Sequence, residues 1–388
     1  MNASTAEKVS LLRDAAEAAT RVFMTLVTHG PISRIDVSRA TELSQAAVTK
    51  AVAPMVAAGL VTDRVDAPRP AGRGRPANPL AVVPDALLLV GLKVNSDEVV
   101  GVVTDLANDV VASARLSLPS PDVDTTVETL RAAHAALIGD LGENAERVTG
   151  VGIGISGDVD AEAGVVRESA LMQWAEPVPI AALLSDLAVP ITLSNDVHAL
   201  TTGEHWFGVG VGTESFAIVT IGRGIGAGLH LNGEVVEGAQ GVAGEIGHLP
   251  LSSPDRVCAC GRRGCVEAVA SISAILADVE AVVGAPVDVD AAVALARGGN
   301  AAVASVFAAA GAAVGKAIAS LVNLTGPEVV LIGGEGVAHF DLLEAELLKA
   351  FREHAFGAAV TCRIEVRSHT FEDWARGAAV AALQRSIR

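Results

Sequence analysis

Apolar residues recur at steps of three and four through Val9, Leu12, Ala16, Ala19, Phe23 and Leu26, which predicts one amphipathic helix over residues 6–29. Gly30-Pro31 stops it. Ser33 then caps a short second helix, with Asp36 at the third position of a capping box. After Thr41-Glu42-Leu43 a third helix opens at Ser44 and ends at Gly59, with Pro54 expected to bend it. Short helices separated by tight turns predict a helix-turn-helix. Residues 60–64 read as a strand. The segment that follows, residues 66–76, is rich in Pro, Gly and Arg without core-forming side chains, and is either a linker or the tip of a wing.

From Leu87 the pattern changes. Residues 87–94 and 99–106 read as paired strands, and 148–155 and 191–193 as strands divided by helical stretches. A second series follows at 215–221, 227–231 and 328–332, and residues 372–384 form a last helix. Strand clusters alternating with helices imply an α/β body with a mixed sheet. Glycine-rich corners in both halves suggest two related lobes around a cleft.

Apolar residues make up 51% of the 388, yet only 3% are aromatic and tyrosine is absent, so the core must be built from Ala, Val, Leu and Ile. Trp174 and Trp206 are left to cover the face of a ligand or to pack in that core. No apolar run reaches the ~18–20 residues of a membrane helix, and the opening Asn2-Ala3-Ser4-Thr5 followed by charges is unlike a signal peptide. A cytoplasmic protein with no membrane partner is expected. The net charge of −17 argues against nucleic acid until its distribution is considered. Residues 1–84 carry ten Lys/Arg against seven Asp/Glu, and the remainder 18 against 38. A mildly basic head on an acidic body can dock on DNA through the head alone.

The strongest local signal is Cys258-Ala-Cys260-Gly-Arg-Arg-Gly-Cys265, three thiols within eight residues, with Gly261 and Gly264 letting the chain curl back. Such a cluster is either a buried set of thiols or a metal site, and zinc takes thiolate and imidazole in a tetrahedron. His248, ten residues upstream, supplies a fourth ligand. A closed Cys3His site leaves no position for water, which makes the expected Zn2+ structural. Cys362 stands alone as a core residue.

Gly244-Glu245-Ile246-Gly247-His248, followed by the cysteine cluster and Glu267, resembles the signature of the ROK family (repressors, open reading frames and kinases). Ser194-Asn195-Asp196 resembles that family's sugar-binding and catalytic Asn-Asp. Residues 221–228 look like its second phosphate-binding loop, and residues 323–334 are similar to its nucleotide-lobe segment. The resemblance implies an α/β fold with a winged helix-turn-helix ahead of a two-lobed, actin/hexokinase-like body. It implies metal ligands His248, Cys258, Cys260 and Cys265, and sugar contacts Asn195, Asp196, Glu245, His248 and Glu267. The expected domains are residues 1–84 for DNA, 85–200 for the first lobe completed by 372–388, and 201–371 for the second lobe.

The family's first phosphate loop carries Asp-x-Gly-Gly-Thr, where this chain reads Gly91-Leu92-Lys93-Val94-Asn95-Ser96-Asp97-Glu98. The absence of the Gly-Gly-Thr argues against ATP binding, since phosphoryl transfer depends on cradling the phosphates. The head points the same way, because Leu43-Ser44-Gln45-Ala46-Ala47-Val48-Thr49-Lys50 resembles the winged helix of ROK repressors. Ser44, Gln45, Thr49 and Lys50 would then meet the major groove, and Arg73 and Arg75 the minor groove. The expectation is a non-enzymatic regulator, chiefly a repressor, of carbohydrate metabolism. Its partners would be operator DNA and a sugar or sugar-phosphate effector, and it would act as a homodimer or dimer of dimers. The alternative is an ATP-dependent sugar kinase with an appended DNA-binding head, in which Asp196 is the base.

Overall fold

A computed structural model of the chain describes residues 3–63 and 79–387. Arg73 and Arg75 lie outside the described residues. The chain divides into two compact units, residues 1–211 with 371–388, and residues 212–370. The division falls at 211/212 and not at 200/201, because the helix Asp196–Phe207 runs on without a break.

The first unit opens with helices Thr5–Arg13, Glu17–His29, Arg34–Thr41 and Gln45–Ala57. The single helix expected over 6–29 is two. Ser4 and Glu7 form a reciprocal capping box that starts the first, and the chain turns extended at Ala16 before the second. Ser33 accepts a hydrogen bond from the Asp36 N–H at 3.2 Å and Ser44 from the Ala47 N–H, so both predicted caps form. Glu42 makes the turn between the last two helices at a φ of 57°. The final helix continues through Pro54 to Ala57. Val61–Thr62 then pairs antiparallel with Ala81–Val82. Phe23, Leu26, Val37, Val48, Val52, Met55, Leu60 and Leu80 are buried between these elements.

The body of this unit is a five-stranded sheet in the order Val110–Ser117, Glu98–Thr104, Leu88–Val94, Val148–Ile155, Ile191–Asn195. The first three strands are antiparallel neighbours and the last two join in parallel. The C-terminal helix Phe371–Ser386 lies directly on it. A Cβ at Gly91 or Gly152 would fall within 2 Å of the carbonyl oxygens of Ala375 and Ala378, so the two glycines let helix and strands meet backbone to backbone. Trp174 and Trp206 are both buried in core clusters, which settles their role as packing.

The second unit repeats the plan. Its sheet runs Glu234–Val235, Ile225–Leu231, Phe216–Ile221, Val329–Gly333, Arg363–Val366, with the same alternation of antiparallel and parallel pairs. The core is centred on the helix Ala301–Thr325. That helix is long and apolar enough to cross a membrane by length and composition, although Ser305, Lys316 and Ser320 interrupt its apolar residues. Here one face of it fills the core: Phe307, Val314 and Ile318 are buried, and Gly311 and Gly315 touch the backbone of residues 343 and 347 beside the helix Glu344–His354.

Candidate functional site

In the second unit the segment Gly244-Glu245-Ile246-Gly247-His248 is pressed onto the strand Ile225–Leu231. Gly244 has a φ of 93°, and a Cβ there would sit 1.8 Å from the Ala227 carbonyl oxygen; one at Gly247 would sit 2.1 Å from that of Ile225. The short helical turn Ile246–His248 is thereby anchored, with Ile246 buried, Glu245 exposed and His248 half-buried. His248 turns Nδ1 toward the Cys258 Sγ, 3.7 Å away, and the Sγ atoms of Cys260 and Cys265 are 3.8 Å apart. All four ligand atoms lie within 4.8 Å of one another. A tetrahedral ion with metal–sulfur bonds of about 2.3 Å spaces its sulfurs about 3.8 Å apart, the separation seen between Cys260 and Cys265, so the four residues could hold a metal ion.

The loop carrying the thiols is held from outside. Arg256 forms a double ion pair with Asp278, at 2.6 and 2.8 Å, and donates to the Ala268 carbonyl. Burial pushes the Cys258 thiol up to about 12 and raises that of Cys265. At Cys260 burial is outweighed by hydrogen bonds, the backbone N–H of Arg262 foremost, and the thiol is drawn down. Three thiolates crowded together, two of them buried, need a cation to offset them, which a divalent ion supplies.

Two carboxylates stand beside the cluster. Glu245 Oε2 is 3.8 Å from His248 Nε2, the ring nitrogen turned away from the thiols. Glu267 Oε2 accepts the Ile225 N–H at 3.0 Å, and its Oε1 is 4.0 Å from Cys258 Sγ. The structure thus gathers Glu245, His248 and Glu267 around the three cysteines. Carboxylates flanking one imidazole suit a polyhydroxylated ligand, because each sugar hydroxyl can donate to a carboxylate.

Asn195 and Asp196 lie in the first unit, where the strand Ile191–Asn195 passes into the helix Asp196–Phe207. Asn195 caps that helix, accepting from the N–H groups of Val197 and His198 and donating to the Gly157 carbonyl at 3.0 Å. Asp196 is buried and ion-paired through Oδ2 to Lys93 Nζ, and its Oδ1 accepts the Val197 N–H. The Lys93 ammonium also donates to the Val94 carbonyl and lies 5.2 Å over the Trp374 ring. Asn95, two residues on, has a buried Nδ2 with no hydrogen-bond partner among the described residues. Sequence reasoning did not single out Lys93. The available signal was a lone charge in the apolar strand Leu88–Val94, which needs a buried counter-ion.

The sequence pattern of the ROK family matches residues 89–385. The chain belongs to the ROK family. It is 28% identical to the DNA-binding transcriptional repressor Mlc of Escherichia coli over 365 residues, covering 92% of this chain and 89% of that one. Among solved structures, a ROK family transcriptional regulator described as a homolog of the E. coli protein superposes with a TM-score of 0.79 at 25% identity, covering 95% of both chains. A ROK hexokinase from Thermus thermophilus gives 0.66 at 28% identity, covering 99% of that chain but 77% of this one.

In the head, Ser44, Gln45, Thr49 and Lys50 are all exposed at the N-terminal half of the helix Gln45–Ala57, while Val48 and Val52 turn inward. Two of the four also serve the helix itself: the Ser44 hydroxyl is its cap, and the Thr49 hydroxyl donates to the Gln45 carbonyl.

Proposed function

We propose that this ROK protein is a sugar-responsive transcriptional regulator, chiefly a repressor, and not a sugar kinase. The observation that carries the reading is the extent of the match. The solved regulator corresponds to nearly the whole chain, head included, whereas the hexokinase accounts for the ROK body alone. Four helices and a two-stranded ribbon have the composition of a winged helix-turn-helix. The exposed Gln45, Thr49 and Lys50 would face the major groove from the second helix of the motif, with Ser44 at its mouth. Arg73 and Arg75 would reach the minor groove, and two chains would bind a two-fold site.

His248, Cys258, Cys260 and Cys265 would hold a structural Zn2+ that fixes the imidazole ring. Asn195, Asp196, Glu245, His248 and Glu267 would be the contacts of a sugar or sugar-phosphate effector. The Nδ2 of Asn95, two residues from Lys93 in sequence and without a partner among the described residues, supports a polar ligand there, because buried donors are rarely left unsatisfied. The ion pair also argues against catalysis. The Asp196 Oδ2 is engaged by the Lys93 ammonium and its Oδ1 by the Val197 N–H, so the carboxylate is held by the chain itself and not poised to take a hydroxyl proton.

The helix Asp196–Phe207 links ligand to head. Its first residue is Asp196, and Trp206 near its end shares one core cluster with Phe23, Leu26 and Met55 of the head. A ligand that shifts Asp196 would therefore be felt in the packing beneath the DNA-binding helices. The reading is tested by melting the protein against a panel of monosaccharides and sugar phosphates, with and without Mg·ATP. A cognate sugar at 100 times its Kd stabilises the native state by about 2.7 kcal/mol. No stabilisation by any sugar, or ATP-dependent phosphorylation at ordinary rates of ~1–10³ s⁻¹, would overturn it.

A further inference from the structure

The two parallel neighbours of the second sheet, Phe216–Ile221 and Val329–Gly333, each end in a glycine-rich corner: Gly222-Arg223-Gly224 and Gly333-Gly334-Glu335-Gly336. Ligands of α/β sheets bind beyond the carboxyl ends of such strands, where backbone N–H groups are free to meet anions. Here the two corners interlock. A Cβ at Gly334 or Gly336 would lie 2.5 or 2.8 Å from the Ile221 carbonyl oxygen, and one at Gly222 would lie 2.4 Å from the Glu335 carboxylate. That carboxylate accepts the Arg223 N–H at 2.9 Å. The corner therefore already holds an anion, and the anion is the chain's own side chain.

Beside it lies an apolar cavity of about 240 Å³, lined by Ile272, Ile275, Leu276, Val289 and Phe307, with Glu335 at its wall. A glycine corner for phosphates next to an apolar cavity for a flat ring has the form of a nucleotide seat. We infer that Glu335 closes this seat, occupying the phosphate half as a built-in carboxylate and repelling any nucleoside phosphate. The inference rests on the non-kinase reading above and names the residue of the second unit that enforces it. A lone acidic residue interrupting a run of three glycines is the trace it leaves in the sequence.

The test is calorimetric titration of Mg·ATP and of adenosine into the full chain, E335G and E335Q. E335G vacates the corner and is expected to bind Mg·ATP at least tenfold more tightly than the parent. E335Q, which keeps the shape and can still accept the Arg223 N–H, removes only the charge and is expected to fall between. Adenosine affinity should change less than twofold in both. Melting temperatures close to the parent's certify the fold, and the near-isosteric E335Q keeps the test alive should E335G unfold. Parent protein that binds Mg·ATP as tightly as the variants, variants that gain nothing, or equal gains for adenosine would each overturn the inference. DNA binding and its response to sugar are read on the same variants. If those survive while no nucleotide affinity appears, only the role of Glu335 fails. If the parent itself binds and turns over ATP, the non-kinase reading fails with it.

Discussion

Replacing Lys93 by Met keeps the length of the side chain and removes its charge. The Lys93 and Asp196 side chains are only 4% and 9% exposed, so water cannot take the place of the lost partner. Removing one member of a buried pair strands the other, at a cost of about 3–5 kcal/mol. The ammonium's bond to the Val94 carbonyl and its place over Trp374 go with it, and these overlap with the same total. For a unit of this size roughly 2–4 °C is lost per kcal/mol, so K93M should melt roughly 6–20 °C below the parent. The assay is urea and thermal unfolding of the parent, K93M, D196L and K93M/D196L. The double variant leaves no buried charge and should recover most of the loss, because an apolar pair of similar volume is often as stable as an ion pair. A K93M protein within 1 kcal/mol of the parent, or a double variant no better than either single, would refute a buried and mutually dependent pair.

Purified protein should carry one zinc per chain by elemental analysis, and Cys260→Ser or a strong chelator should lower the melting temperature of the second unit and blunt the response to sugar. On a DNA site selected from a random library, Gln45→Ala should relax base preference more than it weakens non-specific binding, while Lys50→Ala should reduce the salt dependence by about one per head. Trp206→Phe, which thins the core between the helix Asp196–Phe207 and the head, should leave DNA affinity near the parent's but cut the effect of sugar on it at least threefold; an unchanged response would remove that helix from the coupling.

Much of the architecture was legible because its signals are local. The caps at Ser33 and Ser44, the strands, the final helix and the spacing of the three cysteines with His248 all depend on residues close in sequence. The break at residues 14–16 was hidden because Ala15 and Ala16 continue the apolar period and neither Gly nor Pro marks the turn. The Lys93–Asp196 pair spans 103 residues and exists only because Leu88–Val94 and Ile191–Asn195 both flank Val148–Ile155 in parallel. Periodicity carries no information about such a neighbour. Gly91 and Gly152 read as ordinary strand glycines, whereas their missing side chains are what bring the last helix onto the first sheet. The long helix Ala301–Thr325 hid its hydropathy behind Ser305, Lys316 and Ser320, which break any uninterrupted apolar run.

The proposed function rests on the coupling of a sugar to DNA within one chain. It is tested most directly by titrating the selected DNA site with the parent and with Glu245→Ala, each with and without the stabilising sugar. The parent should change its DNA affinity by about 5–150-fold, a coupling of 1–3 kcal/mol. Glu245→Ala should bind the DNA as the parent does and show no change with sugar. A parent indifferent to every sugar that stabilises it, or a Glu245→Ala variant that responds as fully as the parent, would contradict the account.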